Sequence, residues 1–267
     1  MVTKAVDQTW ATDPAQLIWV AAVMSAMVLY GLAHKKLREQ GSTWPAHRTV
    51  SWFAGCLLVL VSVYGPLAQL AHHDFPVHMV VHVLLGMLAP LMLVLAAPVT
   101  LTLRALPHAT ARRLGRLLSG KAAGFVANPF VAAILNVGGL WLIYRSPLFV
   151  LMHHNLLVGA FIQLHVLLAG YLFSYAILGG PDPAPHRRSP GERAAVMVMA
   201  IAAHNILAKS LYAMPPAGLQ VTDAQTGAQI MYYAGMPVEI ALLIGLCLPW
   251  ILGNRAKSHR RKTAGQL

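Results

Sequence analysis

Charged side chains are scarce in this chain of 267 residues, where they make up 10% of the sequence and only eight of them are acidic. Soluble domains carry about 25% charged residues, so this composition excludes an ordinary soluble protein. Hydrophobic residues instead reach 57%, and the mean hydropathy is +0.61. Because the apolar runs are continuous and do not alternate with polar residues, they favour membrane-spanning helices over a membrane barrel. The sequence predicts an all-α, polytopic membrane protein embedded in the lipid bilayer.

Cysteine is almost absent as well, with only Cys56 and Cys247, each inside an apolar run. They form no CxxC pair, so cysteine-based metal binding is not expected. The sequence also lacks the P-loop, the GxGxxG turn after a strand and the GxSxG elbow, which argues against nucleotide-driven transport and hydrolase chemistry. We therefore expect a protein that is not an enzyme. No cleavable signal peptide is predicted, because the residues before the first apolar run form no basic n-region.

Seven apolar runs are long enough to cross a bilayer, and they form a single membrane domain over residues 1–267. The predicted spans are about 17–33, 50–70, 77–103, 129–144, 156–178, 194–213 and 229–252, and residues 254–267 form a basic tail. An odd number of spans places the two termini on opposite sides of the membrane. The sequence therefore predicts a bundle of seven transmembrane helices.

Basic residues decide the predicted orientation of that bundle. The net charge is +12, and all but three of the twenty lysines and arginines fall on one side; the exceptions are Lys4, Arg145 and Lys209. Basic loops favour the cytoplasmic side of a membrane, so we expect the N-terminus outside and the C-terminal tail in the cytoplasm. Because topology accounts for the positive charge, nucleic acid is not expected as a partner.

Histidine is the polar residue that the apolar runs do contain. His78 and His82 lie four residues apart near the start of the third predicted span, so both imidazoles share one helix face. His165 and His204 fall at a similar depth in two other spans, on the predicted outer side. Imidazole suits copper and zinc, and the thioether of Met79, between the first pair, favours copper(I). The alternative is that these histidines only form hydrogen bonds between helices.

Further histidines and one carboxylate surround this group. His72, His73, His153 and His154 are predicted near the same outer surface, and the pattern leaves open whether they join the site. Glu239 is the only carboxylate well inside an apolar run. A carboxylate there is costly, and it could hydrogen-bond the free N–H of a metal-binding imidazole, carry protons or serve a structural hydrogen bond.

The run FPVHMVVHVLLGMLAPLMLVLAAPVTLTLRALP, at 75–107, resembles the signature of the integral-membrane cytochrome c oxidase assembly factors of the CtaG type. Four later segments resemble that family in the same order, so that the resemblance covers about 50–252: NPFVAAILNVGGLWLIYRSPLF (128–149), LHVLLAGYLFSYAILG (164–179), HNILAKSLY (204–212) and QIMYYAGMPVEIALLI (229–244). The chain departs from the family around Phe173 to Tyr175, where tryptophan is usual.

The resemblance implies a protein of the bacterial inner membrane that helps to mature haem–copper oxidases, with oxidase subunits as partners and copper as the metal supplied. Carried over onto this sequence, it implies His78, His82, His165 and His204 as candidate ligands. The residues themselves leave three alternatives open: a haem-binding electron-transfer protein, a copper or proton-coupled transporter, and a metal-free assembly scaffold. They also leave open the oxidation state of the metal, the oligomeric state and the oxidase subunit that is bound.

Overall fold

The computed structural model describes residues 14–264, with side chains from 16 to 248. The part of the chain that the structure describes is mostly helical and contains no β-strand. The helices are α1 (Pro14–Glu39), α2 (Ala46–Val63), α3 (Pro66–Ala71), α4 (Phe75–Val83), α5 (Ala89–Leu95), α6 (Pro98–Ala105), α7 (His108–Leu118), α8 (Lys121–Val126), α9 (Pro129–Ala133), α10 (Gly139–Tyr144), α11 (Leu148–His154), α12 (Leu156–Leu178), α13 (Pro190–Ala213) and α14 (Val221–Ala264). The predicted outer N-terminal segment falls almost wholly outside the described residues, as do the side chains of the predicted tail.

Six helical segments among the described residues are long and apolar enough to cross a membrane. They are Gln16–Glu39, Ala46–Val63, Phe75–Leu95, Leu156–Leu178, Pro190–Ala213 and Val221–Leu248. A seventh candidate is a broken segment, in which Pro129–Tyr144 and Leu148–His154 meet at an angle of 79°. Large apolar side chains such as Ile18, Ile134 and Leu157 point outward from the bundle, as expected for surfaces that face lipid. An all-helical membrane protein with six or seven candidate spans is therefore confirmed.

The segment predicted as one span over 77–103 consists of two helical parts separated at Ala97. Helix α5 ends at Leu95, and Ala97 adopts a left-handed conformation with φ 52° before α6 begins at Pro98. A residue before proline is disfavoured in the right-handed helical region, which explains why the helix breaks here. The half-buried start of α6 is held by Asp182, whose carboxylate accepts hydrogen bonds from the amides of Val99 and Thr100.

Two π-helical turns interrupt the helices at mid-bundle. The first, Leu84–Leu88, joins α4 to α5, and the amide of Ala89 donates to the carbonyl of Leu84, five residues earlier. Pro90 follows this turn; it has no N–H for the carbonyl of Gly86, and its ring would crowd that carbonyl in a regular helix. Helix α12 approaches closely here, since a Cβ on Gly170 would overlap the Gly86 carbonyl. The second π turn, Ile134–Gly138, joins α9 to α10.

The bundle has two chemically different ends. One end, which we name the histidine end, is formed by the segments 71–75, 148–155 and 214–220, whose residues surround one open cavity. The other, which we name the basic end, is formed by 106–128 and 179–189 and contains arginines and a lysine, such as Arg112, Arg187 and Lys121. Apolar clusters between α4, α12, α13 and α14 fill the space between them. The packing of these four helices positions the buried histidines.

Candidate metal site

His82 and His204 lie side by side in the interior of the bundle. His82 belongs to α4 and His204 to α13, yet their ring centroids are 6.0 Å apart and their planes are tilted by 31°. The two residues are only 6% and 4% exposed. A small cavity of about 30 Å³ adjoins both rings, and its lining includes Met87, Ser174 and Glu239. Two of the predicted ligands, from spans far apart in the sequence, are thus brought together.

Ring nitrogens of both histidines lack a hydrogen-bond partner. Nε2 of His82 and both ring nitrogens of His204 are buried, and none forms a hydrogen bond within the described part of the chain. A buried polar group left unsatisfied costs about 1–3 kcal/mol, so such groups normally bind water or an ion. A cavity of about 30 Å³ is large enough for a water molecule or a single ion. The unsatisfied nitrogens and the cavity beside them therefore have the character of a ligand site.

Glu239 supplies the negative charge of this site. Its Oε1 lies 3.0 Å from Nδ1 of His204, and the residue is 7% exposed. This is the distance of an ion pair, but the two groups are not aligned as a hydrogen bond. The contact arises because α13 packs closely along α14. The carboxylate that stood out in the sequence is thus next to an imidazole, which is the arrangement that a metal-orienting role requires.

Met87 is the residue of this site that sequence reasoning did not select. It lines the same small cavity, and a Cβ placed on Gly235 would lie 3.4 Å from Met87 Sδ and 3.1 Å from His204 Cε1. The thioether and the imidazole therefore both pack against the same glycine of α14. Met87 follows His82 by five residues, a spacing that faces away on a regular helix. The π turn Leu84–Leu88 widens the helix and brings the side chain to the cavity.

The remaining predicted ligands lie elsewhere. His78 is one helical turn from His82, and its Nε2 is hydrogen-bonded to the hydroxyl of Tyr144 at 3.0 Å. His165 packs against the second π turn and donates from Nε2 to the carbonyl of Leu135 at 3.0 Å. Met79 is fully buried in an apolar cluster. Within residues 16–248, no three His, Cys, Asp or Glu side chains converge closely enough to share a metal ion.

A second group of histidines surrounds an open cavity of about 450 Å³ at the histidine end. Its lining includes His72, His73, His78, His153 and His154. The ring of His153 lies 5.7 Å from that of His78 and 6.1 Å from that of His72, measured between centroids. Nδ1–H of His153 donates to the carbonyl of Phe149 at 2.7 Å. That hydrogen bond fixes the tautomer, so Nε2 of His153 carries the lone pair.

This fold and site define a class: helical membrane proteins with a buried pair of histidines beside a carboxylate. The family comparison is more specific, because the model of the cytochrome c oxidase caa3 assembly factors (Caa3_CtaG) matches residues 28–252. The chain belongs to this family, which confirms the resemblance seen in the sequence. Oxidase assembly is therefore the established role of the family, and an assembly factor associates with its oxidase.

The chain is also similar to three mycobacterial proteins. Uncharacterized protein Mb0105 of Mycobacterium bovis and uncharacterized protein MT0111 of Mycobacterium tuberculosis are each 34% identical to it over 185 residues. Uncharacterized protein ML1998 of Mycobacterium leprae is 34% identical over the same length. The aligned region covers 67% of this chain, but only 27% of the first two relatives and 28% of the third. No solved structure matches the chain.

Proposed function

We propose that this protein assists assembly of a haem–copper cytochrome c oxidase by holding a copper ion at His82 and His204 and releasing it to an oxidase subunit. The observation that carries the proposal is the pair of buried imidazoles with unsatisfied nitrogens, whose ring centroids are 6.0 Å apart beside a small cavity. The family supplies the process, oxidase assembly. The site supplies the chemistry, because imidazole is a common ligand of copper.

The donor set favours copper(I) as the cargo. Two neutral imidazoles and the thioether of Met87 offer soft and borderline donors, whereas oxygen-seeking ions such as magnesium prefer several carboxylates. Oε1 of Glu239 lies 3.0 Å from Nδ1 of His204, so binding of a metal at Nε2 would place Nδ1–H toward the carboxylate. A site with few ligands binds loosely enough for ligand exchange. The protein then transfers copper without catalysing a reaction.

The small size of the cavity beside His82 and His204 supports an ion over haem. Pockets for drug-sized molecules have volumes of roughly 300–1,000 Å³, about ten times the 30 Å³ found here or more. Apart from the two histidines, Glu239, Asn136 and Ser174, the cavity is lined by glycine and apolar residues such as Met197 and Leu242. This largely apolar lining supports a storage site over a through-going transport path. A metal-free scaffold would leave the buried nitrogens without a function.

We also propose that the bundle has seven spans in a bacterial inner membrane, with the N-terminus outside and the C-terminus in the cytoplasm. The concentration of arginine and lysine at the basic end supports this orientation. It places the histidine end at the outer surface. Reporter fusions test it: a fluorescent protein fused after residue 267 should fluoresce, and alkaline phosphatase fused there should be inactive. Active phosphatase at the C-terminus would reverse the orientation.

Copper content of the purified protein tests the main proposal. The full chain in detergent, loaded with copper(I) under reducing conditions and desalted, should retain on the order of one copper per chain. The variant His204→Asn keeps an amide near Glu239 but removes Nε2, and His82→Asn removes the second donor; each should lose most of the bound copper. His108→Ala, at an exposed position in α7, is the matched control and should bind normally. Full copper content in both buried-site variants would contradict the proposal.

A further inference from the structure

Three cavities follow one another from the histidine end to the buried pair. The open cavity of about 450 Å³ comes first, then one of about 50 Å³, then the small cavity of about 30 Å³ beside His82 and His204. His72, His78 and His153 line both the first and the second cavity. His82 lines both the second and the third. Histidine side chains therefore lie at both boundaries between neighbouring cavities.

The spacing of these rings suits stepwise transfer of an ion. Centroid distances are 6.1 Å from His72 to His153, 5.7 Å from His153 to His78 and 6.0 Å from His82 to His204. Two imidazoles that share one ion, with metal–nitrogen distances near 2 Å, have centroids about 5–6.5 Å apart. Within each of these three pairs, an ion can thus be bound by the second ring before it leaves the first.

The step from His78 to His82 runs along one face of α4, because the two residues are four apart. Tyr144 stands beside this step, with ring centroids 5.9 Å from His78 and 6.3 Å from His82. Its hydroxyl binds Nε2 of His78 and so fixes the orientation of that ring. Met152 lines the middle cavity and offers a thioether there. The middle cavity therefore also contains groups that can bind copper(I).

His153 has the orientation of a first ligand. Its Nδ1–H donates to the carbonyl of Phe149, which leaves the lone pair on Nε2 for a metal. The neighbouring His154 is exposed and also lines the open cavity. These two adjacent histidines provide a test pair, because the ring of His153 contacts those of His72 and His78, whereas His154 is exposed.

We propose that His153 and His72 capture copper at the open cavity and that His78 passes it to the pair His82 and His204. The identity of the ion rests on the proposed function, whereas the path rests on the geometry of the cavities. His153 and His72 are uptake residues in this proposal, and they form no part of the final site. Their loss should slow loading without lowering the amount of copper held at the end.

The test is the rate of copper(I) uptake by the full chain in lipid nanodiscs, with copper supplied as a complex with a coloured chelator. His153→Asn keeps a donor toward Phe149 but removes Nε2, and it should slow uptake at least about 10-fold with the final copper content unchanged. His154→Asn is the matched control and should load at the wild-type rate. His72→Asn is a second, independent variant, and it should also slow uptake.

The outcomes separate the path from the proposed function. Normal loading by both His153→Asn and His72→Asn, with copper still lost in His204→Asn, would overturn the path and leave the copper site standing. Equal slowing in His153→Asn and His154→Asn would also overturn it, because a general surface effect would then explain the rate. If the wild-type chain binds no copper, both the proposed function and the copper path are overturned. Thermal unfolding of each variant in detergent confirms that the rates refer to folded protein.

Discussion

Replacement of Glu239 by glutamine is the most direct test of how the buried site is built. Glutamine has the shape of glutamate and keeps an oxygen that can face Nδ1 of His204, now 3.0 Å from the carboxylate. Only the negative charge is removed. The substitution therefore isolates the electrostatic part of the contact, which a change to alanine would combine with a new cavity.

The expected loss follows from the strength of the contact. Hydrogen bonds to a charged group are worth about 1.5–3 kcal/mol, and neutral ones about 1 kcal/mol. We expect metal binding at Nε2 to draw the Nδ1–H of His204 into line with the carboxylate, so the charge should contribute about 1–1.5 kcal/mol to binding. This corresponds to a fall in copper affinity of roughly 10-fold, at the lower end of the effects seen when partners of metal-binding histidines are changed.

Competition with a chelator of known copper(I) affinity measures the change, at equilibrium and under reducing conditions. The control is Glu192→Gln, which removes one carboxylate from the first turn of α13, the helix that carries His204. Twelve residues separate the two positions, or about 18 Å along the helix, so the control should bind copper normally. Unchanged affinity in Glu239→Gln would refute the idea that this carboxylate orients His204 for copper.

Three further substitutions test the packing around the site and at the basic end. Gly170→Ala would force a methyl group into the carbonyl of Gly86 and should cost about 1–3 kcal/mol of stability. Thermal unfolding in detergent measures this loss. The control is Gly31→Ala, whose added methyl group meets open space and should leave stability unchanged. Asp182→Asn removes the negative charge from three hydrogen bonds that hold the start of α6. Because these bonds become weaker, the variant should unfold at a lower temperature, while its copper content stays normal. Gly235→Ala places a methyl 3.1 Å from His204 Cε1 and should weaken copper binding in the chelator assay. Wild-type behaviour in any of the three would contradict the corresponding contact.

The fold class could be predicted almost entirely from the local sequence. A bilayer demands that every backbone polar group be satisfied within the chain, so long apolar runs with few charges predict helices with little ambiguity. The family could also be recognised from the sequence, because the run at 75–107 has a distinctive order of histidine, glycine and proline residues. The helix break at Ala97 could have been predicted from Pro98, which follows it. The apolar run alone does not reveal that the helix ends there.

The grouping of the histidines was only partly predictable. The sequence predicted a similar depth in the membrane for His82, His165 and His204. It did not determine the direction in which each ring points around its helix. Packing turns His82 and His204 toward each other, while the second π turn engages His165 through its carbonyl at Leu135. Met79 was favoured because it lies next to His78 in the chain, yet its side chain points into an apolar cluster.

By itself, the sequence determined that this is an all-helical membrane protein of an oxidase assembly family, with imidazoles and one carboxylate in its apolar runs. Only the tertiary structure decided that His82, His204, Glu239 and Met87 surround one small cavity. The physical reason is that the contacts join α4, α13 and α14, and that a π turn shifts Met87 onto the cavity face. Helix rotation and interhelical packing depend on the whole bundle, and no local pattern of residues encodes them.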